Sequence, residues 1–337
     1  MNILVTGSSG QVGTNLCLAL AEQGISTVGI DKRTSSWTDQ IPFIQRDLAS
    51  AGMPSLEEIS AANGRFDKPD LVVHLAANAK VHELVQDPGR ALENTTITFN
   101  VLEFCRRLNV PIIFSSSREV YGRPEPPSVG EETTDVFHIL SPYAAYKMAD
   151  EMLIYAYANC YDLKYLVFRL SNVYGRYDND LERMTRVVHI FIDQMRRGQP
   201  ITIFDRTKII DFTYVDDCIN GLLLGINQLV QGKVVNETFN LSSGSPATLI
   251  KLAETIAENL GVTPEIIDRP IQPGEISFYV ADLAKARTLL GYQPQVSFEE
   301  GVSRAVQWSV AWAERQETKA SVNHPSVKTD YWQANVS

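Results

Sequence analysis

Tyr143 and Lys147 stand four residues apart in Pro142-Tyr143-Ala144-Ala145-Tyr146-Lys147, one turn along a helix and therefore on one face. An ammonium beside a phenol favours the phenolate, which suits the pair to take a proton from a hydroxyl near neutral pH. Tyrosine–lysine pairs at this spacing also arise by chance, so the context carries the weight. That context is Phe114-Ser115-Ser116-Ser117-Arg118-Glu119-Val120-Tyr121-Gly122, which follows an apolar run. Ser117 is placed to hydrogen-bond the oxygen that Tyr143 deprotonates. The serines read equally as strand termination, and Glu119 reads either as an acid/base or as a partner of Arg118 or another cation.

These side chains need a scaffold, and the start of the chain supplies its signature. The apolar run Ile3–Val5 breaks at Gly7-Ser8-Ser9-Gly10-Gln11-Val12-Gly13 and passes into the helical stretch Asn15–Gln23. A strand, a glycine turn and a helix N-terminus together hold a pyrophosphate on backbone N–H groups. Gly7 permits the turn, Gly10 clears the approach of phosphate, and Gly13 lets helix and strand pack closely. The next strand, Thr27–Ile30, ends at Asp31, where an acid accepts from ribose hydroxyls. A 2′-phosphate would meet that charge, so NAD is expected rather than NADP, although Lys32 and Arg33 follow directly.

Apolar runs at Ile3–Val5, Thr27–Asp31, Leu71–Ala76, Pro111–Ser115 and Tyr165–Leu170 alternate with helical periods at Asn15–Gln23, Leu56–Ala62, Ile97–Leu108 and Tyr143–Tyr161. This alternation predicts an α/β fold, a Rossmann-type doubly wound parallel sheet, with ligands at the carboxyl ends of the strands. Residues 1–172 form the expected NAD-binding domain, with segments around 205–245 returning to it. Residues 173–313 form mainly a smaller substrate-binding lobe, and 314–337 a loose tail. In that second part, Arg183–Arg197 and Leu249–Leu260 read as helices, and Ile201–Phe204 and Phe212–Val215 as short strands. A capping box at Ser297–Glu300 opens a last helix through Trp312.

At 337 residues and 44% apolar content the chain can bury a sizeable core, while a formal charge of -10 and a pI near 5.1 argue against a nucleic-acid surface. No apolar run is long enough for a bilayer, and no signal peptide is read, because Ile3–Val5 is already a core strand. Cys17, Cys105, Cys160 and Cys218 lack paired spacing, which suits free thiols in a reducing cytoplasm. No metal site is expected.

With the glycine turn, Asp31, Ser117 and Tyr143/Lys147 in this order, the chain resembles the extended short-chain dehydrogenase/reductase family, the nucleotide-sugar epimerases and dehydratases. The resemblance runs from Met1 to about Trp312. It implies that Asp47-Leu48 contacts adenine and that His74-Leu75-Ala76-Ala77 runs beside the cofactor. It also puts Asn94 on the cofactor side, and Asn172, within Arg169–Gly175, on the nucleotide-sugar. Asp211–Asp217 and Phe239–Gly244 match further landmarks of largely structural role. Three positions depart from the family pattern. Ile210 and Gln272 stand where diphosphate-directed arginines are usual, and Ile97 replaces a glycine. Lys208 is then the expected replacement cation, with Arg176 and Arg206 as further possibilities.

The shared reaction implied by the resemblance is oxidation at sugar C4 to a 4-ketone. Glu119 matches the glutamate that dehydratases and decarboxylases use near C5. Arg118 stands in place of the dehydratase partner acid, and Tyr279 in place of the decarboxylase arginine. Elimination leaves an NAD-dependent nucleotide-sugar 4-epimerase, with a dehydratase using Glu119 as the alternative and a non-catalytic NAD sensor behind both. A homodimer is expected through Ile97–Leu108 and Tyr143–Tyr161, with Phe99, Met148, Met152 and Tyr155 available to a shared bundle.

Overall fold

The protein is described from a computed structural model covering residues 1–124, 128–178 and 186–323. Seven parallel strands form the central sheet: β1 (Asn2–Thr6), β2 (Ser26–Asp31), β3 (Phe43–Gln45), β4 (Leu71–His74), β5 (Ile112–Ser117), β6 (Tyr165–Leu170) and, late in the chain, β11 (Glu237–Leu241). Their spatial order is β11-β6-β5-β4-β1-β2-β3, every neighbouring pair parallel. The order reverses between β1 and β4, and crevices for ligands open at such reversals beyond the carboxyl ends of the strands.

The inner strands β1 and β4 are buried and largely apolar on both sides because helices cover both faces. In β1, Ile3 and Val5 join a core shared with Leu16 and Leu20 of α1 (Gln11–Glu22), while Leu4 joins the opposite core. That second core takes Ile59 from α2 (Leu56–Ala62), Val101 and Leu102 from α4 (Gly89–Leu108), and Ile154 from α5 (Pro142–Tyr161). The short α3 (Val81–Gln86) precedes α4. The smaller part of the molecule begins at β7 (Val173–Tyr174) and α6 (Val187–Arg196). It continues through β8 (Ile201–Phe204), β9 (Ile209–Asp211), β10 (Thr213–Tyr214) and α7 (Val215–Val230). After β11 come β12 (Pro246–Thr248), α8 (Leu249–Leu260), β13 (Ile266–Arg269), β14 (Phe278–Tyr279), α9 (Ala284–Leu290) and α10 (Phe298–Asn323). Here β13 pairs with β8, β9 runs between β12 and β14, and α6, α8 and α10 pack together.

Several boundaries differ from those read in the sequence. α1 starts at Gln11, within the glycine turn, and α4 starts at Gly89, ahead of the apolar period. Only Thr213–Tyr214 of the run Phe212–Val215 is strand, and Val215 opens α7. α10 continues past Trp312 through residues expected to be loose. Its extension is anchored by Trp312 against Trp37, ring centroids 4.8 Å apart, and by an Arg196–Glu317 ion pair at 2.9 Å. Residues 183–185, read as the start of the α6 helix, and the tail beyond 323 lie outside the described residues.

Candidate active site

One cavity of about 760 Å³ collects the residues that follow β1, β2, β4, β5 and β6. Gly7, Gly10, Gln11, Val12, Gly13, Asp31, Asp47, Leu48, Leu75, Ala76 and Ala77 line it, together with Ser117, Arg118, Glu119, Tyr143, Lys147, Asn172 and Lys208. Residues separated by more than 200 positions thus face one space.

The glycine turn fits a dinucleotide for reasons visible in its backbone. Gly7 has φ of 74°, and its carbonyl accepts from the Gly10 N–H at 3.1 Å. A Cβ at Gly13 would lie 2.2 Å from the Gly7 carbonyl oxygen, so only glycine lets α1 pack this close to the turn. α1 has no side-chain cap at Gly10, which leaves its first N–H groups available to an anion. Asp31 is held by N–H groups of Ser9 at 3.1 Å and Arg33 at 3.0 Å, which fix its carboxylate at the cavity wall. These residues fit NAD. The turn and the first N–H groups of α1 would hold its pyrophosphate, and Asp31 its adenosine ribose. Asp47 and Leu48 lie beside them, Leu48 tied by its carbonyl to the Asn100 amide at 2.7 Å.

Asn94 is placed differently from the expectation. It does not line the cavity. Its amide oxygen accepts from the Asn78 N–H at 2.7 Å and its amide nitrogen donates to the Asn78 carbonyl at 3.0 Å. Asn94 therefore shapes the Ala76–Asn78 loop, whose residues do face the cavity.

Ser141 caps α5, accepting from the Ala144 N–H at 3.2 Å, and Pro142 follows at the first helical turn, so Tyr143 and Lys147 enter the cavity from a rigid helix start. Both are buried. Burial pushes the Tyr143 phenol up to about 12, with Ser117 and Arg186 drawing it down and Glu119 and Asp150 holding it up. Lys147 is lowered to about 8 by burial, against the attraction of Asp150 and Glu151. Its ammonium donates to the Ser115 carbonyl at 2.8 Å and lies 4.5 Å from the Phe114 ring centroid. The sequence placed this ammonium beside the phenol as its main charge partner. In the folded protein desolvation is the larger influence on the phenol, and Ser117 and Arg186 are the groups that draw it down.

Behind Lys147 runs a chain that the spacing did not reveal. The Ala76 N–H donates to Thr6 Oγ1 at 3.3 Å, Thr6 Oγ1 meets His74 Nδ1 at 2.7 Å, and His74 Nε2 meets Thr98 Oγ1 at 3.3 Å. Thr98 Oγ1 then donates to Asp150 Oδ2 at 3.0 Å. Because Thr98 gives its proton to Asp150, it must accept from His74, which assigns the ring proton to Nε2 and makes Thr6 the donor to Nδ1. Burial lowers His74 to about 3, so the ring is neutral. Asp150 and Glu151 were not singled out in the sequence.

The cations sort clearly. Arg176 pairs with Asp216 at 2.5 Å and Arg206 with Asp268 at 2.7 Å, and neither lines the cavity. Lys208 does line it, ion-paired with Glu275 at 2.7 Å. Arg186, not singled out in the sequence, also reaches the cavity, donating to the Gln11 side-chain oxygen and the Val173 carbonyl. Ile210 and Gln272 both face the cavity at the positions that depart from the family pattern. Arg118 and Glu119 form a buried pair at 2.9 Å. Burial raises the Glu119 carboxyl above its ordinary range, against the pull of Arg118 and Lys208.

The landmarks Asp211 and Asn240 are structural. The Asp211 carboxylate accepts from the N–H groups of Ser243 at 3.1 Å, Gly244 at 3.0 Å and Ala281 at 3.1 Å, and from the Ser243 hydroxyl at 2.6 Å. Asn240 joins Tyr121, Tyr279 and Val129.

Comparison with known proteins agrees with this geometry. A UDP-glucose 4-epimerase of Mycolicibacterium smegmatis is 30% identical over 321 residues, spanning 91% of this chain and 98% of that one. The structure of UDP-glucose 4-epimerase with UDP-glucose from Thermotoga maritima superposes with a TM-score of 0.82 at 31% identity, over 93% of this chain and 100% of the other. UDP-glucuronic acid 4-epimerase of Bacillus cereus, in complex with UDP-glucuronic acid and NAD, gives a TM-score of 0.82 at 28% identity, over 93% and 100%. Residues 3–242 match the NAD dependent epimerase/dehydratase family, and the chain belongs to that family of NAD-dependent enzymes.

Proposed function

We propose that the protein is an NAD-dependent nucleotide-sugar 4-epimerase working through a 4-keto intermediate. The observation that carries this reading is the single cavity in which the dinucleotide turn and Asp31 share walls with Ser117, Tyr143 and Lys147. Similar proteins named as 4-epimerases of UDP-glucose and UDP-glucuronate support the reaction. NAD, which the glycine turn and Asp31 would hold, would supply the redox chemistry, a reversible two-electron hydride exchange at sugar C4. Tyr143 takes the C4 hydroxyl proton and gives it back, and Ser117 holds the same oxygen. Lys147, fixed by Ser115 and faced by Asp150, keeps positive charge beside this site. Asn172 meets the nucleotide-sugar, while Arg186 and Lys208 provide the positive charge that Ile210 and Gln272 lack.

Tyr143→Phe should preserve folding and NAD binding while turnover falls at least about a hundredfold. NMR of UDP-, dTDP-, CDP- and GDP-sugars after incubation in deuterated water should show a C4 epimer without deuterium at C5. Deuterium at C5 would instead indicate a dehydratase using Glu119, and no turnover of any sugar would end the epimerase reading.

The reading extends to a homodimer. Leu92 and Phe99 of α4 and Met152 of α5 are about half exposed. Ala145, Met152 and Ala156 place one exposed, apolar stripe along α5, next to α4. Met148 belongs instead to the core, and Tyr155 bonds Glu151 and Thr238. All four cysteines are free, three of them buried, which suits a reducing cytoplasm. Among the described residues no helix is long and apolar enough to cross a membrane.

A further inference from the structure

We infer that Asp150 and His74 are positioning residues for the proposed reaction: a buried, one-directional chain of hydrogen bonds holds Asp150 as an anion, and Asp150 in turn holds Lys147 as a cation. The inference rests on the reading of Lys147 as the positive charge beside Tyr143 and supplies the groups that maintain that charge.

Every link of the chain has the same polarity. The Ala76 N–H can only donate, so Thr6 Oγ1 accepts from it at 3.3 Å. Thr6 gives its own proton to His74 Nδ1 at 2.7 Å, His74 Nε2–H donates to Thr98 Oγ1 at 3.3 Å, and Thr98 donates to Asp150 Oδ2 at 3.0 Å. Four donors therefore run head to tail from the loop that lines the cavity toward one carboxylate, and hydrogen bonds aligned in this way polarise one another. Thr6, His74, Thr98 and Asp150 are all buried, so no bulk water competes for the links. Burial, with Lys147 acting in the same sense, keeps the His74 ring neutral, and the ring passes on the polarity without adding a charge. Phe114, 5.7 Å from the imidazole centroid, packs against that ring and also lies under the Lys147 ammonium.

The anionic end of the chain lies where Lys147 needs a partner. Lys147 and Asp150 stand three residues apart on one face of α5, and both are buried. The hydrogen bond from the ammonium goes to the Ser115 carbonyl, which carries no charge. Glu151, the other acid that attracts Lys147, is already matched, since Arg169 donates to its two oxygens at 3.0 and 2.7 Å. Asp150 has no such arginine among the described residues. Burial pushes its carboxyl up, Lys147 draws it down most, Thr95 and Thr98 help, and Glu151 opposes them. Burial likewise lowers Lys147, and Asp150 is the strongest counterweight. Each charge thus offsets the desolvation of the other, and without the anion the ammonium would keep only a carbonyl.

NMR of isotope-labelled lysine side chains, on the full chain and with K147M to assign the resonance, follows this ammonium directly. The wild-type midpoint should lie at about pH 8, and D150N, which keeps the shape but not the charge, should bring it to about pH 7 or below. T98V and H74F break the chain while leaving Asp150 and Lys147 in place, and they should move the midpoint the same way by a smaller amount. These two carry the test should D150N fail to fold. On the NAD-loaded enzyme, the pH at which kcat for UDP-glucose or UDP-glucuronate falls on the alkaline side should drop with the midpoint, by about fivefold in kcat at pH 8 for D150N, with little change in KM. An unchanged midpoint in D150N overturns the role of Asp150, and a midpoint that moves in D150N but in neither T98V nor H74F overturns the role of the chain. Lower stability in any variant with the midpoint unmoved would make these residues structural only, and would also overturn the inference. If the wild type turns over neither sugar, the test of the 4-epimerase reading has failed for both, while the lysine midpoint still decides whether Asp150 and His74 hold Lys147.

Discussion

Lys147 illustrates the tension between stability and chemistry at a single residue. Its ammonium is buried between β5 and α5 with one carbonyl partner, and its pKa falls from 10.5 to about 8. The unfolded chain keeps the proton up to about 10.5, so between those values the unfolded state binds more protons than the folded one. Stability therefore rises with pH through that window, and below it the full penalty of the buried charge is present. Lys147→Met, similar in volume and uncharged, should be more stable than the wild type at neutral pH by up to about 3 kcal/mol. That advantage should shrink as pH rises from about 8 to 10.5, and turnover should be lost throughout. Urea unfolding at a series of pH values reads this directly. A wild type more stable than the variant at neutral pH would show that Ser115 and Asp150 overcompensate the burial.

α4 and α5 each carry apolar residues on two opposite faces, one buried and one exposed. Ile97, Val101 and Leu102 of α4 and Ile154 of α5 pack under the sheet, while Leu92, Phe99, Met152 and the exposed Ala145 and Ala156 of α5 face outward. The helical period identified both as helices, but it could not separate a core face from an exposed apolar face, since both are apolar. Met148 and Met152 show the consequence, one buried and the other about half exposed. Met152→Arg places a charge in the outward stripe and should yield a folded monomer by sedimentation at micromolar concentration, with an unchanged circular dichroism spectrum. A dimer of unchanged affinity would locate the interface elsewhere.

Across the whole molecule, the smaller part is fastened to the sheet by buried polar hubs more than by a continuous strand. Asp211, at the end of β9, gathers N–H groups from the loop after β11 and from Ala281 after β14. Arg169 on β6 binds Glu151 of α5 at 2.7 Å and reaches the Glu131 carbonyl at 2.9 Å, tying the segment after Ser117 to the sheet. Asp211→Ala leaves several buried donors unpaired and should destabilise the protein by about 3 kcal/mol or more, measured by denaturant unfolding. Because Lys208 and Ile210 lie on the neighbouring stretch, substrate binding should weaken more than NAD binding. Equal loss of both would show that the hub serves global stability alone.

The residues expected to hold the nucleotide could be read from local sequence, and the fold brings Gly7, Gly10, Gly13 and Asp31 to one cavity. A glycine turn, Asp31 and the strand ends are local consequences of backbone sterics and continuous apolar runs, and the parallel sheet follows from their alternation. Tyr143, Lys147 and Ser117 were legible for the same reason, since each sits at a fixed offset from a helix start or a strand end. Which charges meet depended on the packing of distant segments. It took Asn94 out of the cavity and bound it to Asn78, closed Arg176 and Arg206 into ion pairs with Asp216 and Asp268, and brought Arg186 to Gln11 from 175 residues away. It set desolvation above the Lys147 charge in governing Tyr143, and it buried one nitrogen of Arg118 and one oxygen of Glu119 without a hydrogen-bond partner among the described residues. Periodicity records which face of an element is buried. Pairing and desolvation depend on what lies across from that face, and that is fixed by how distant segments pack.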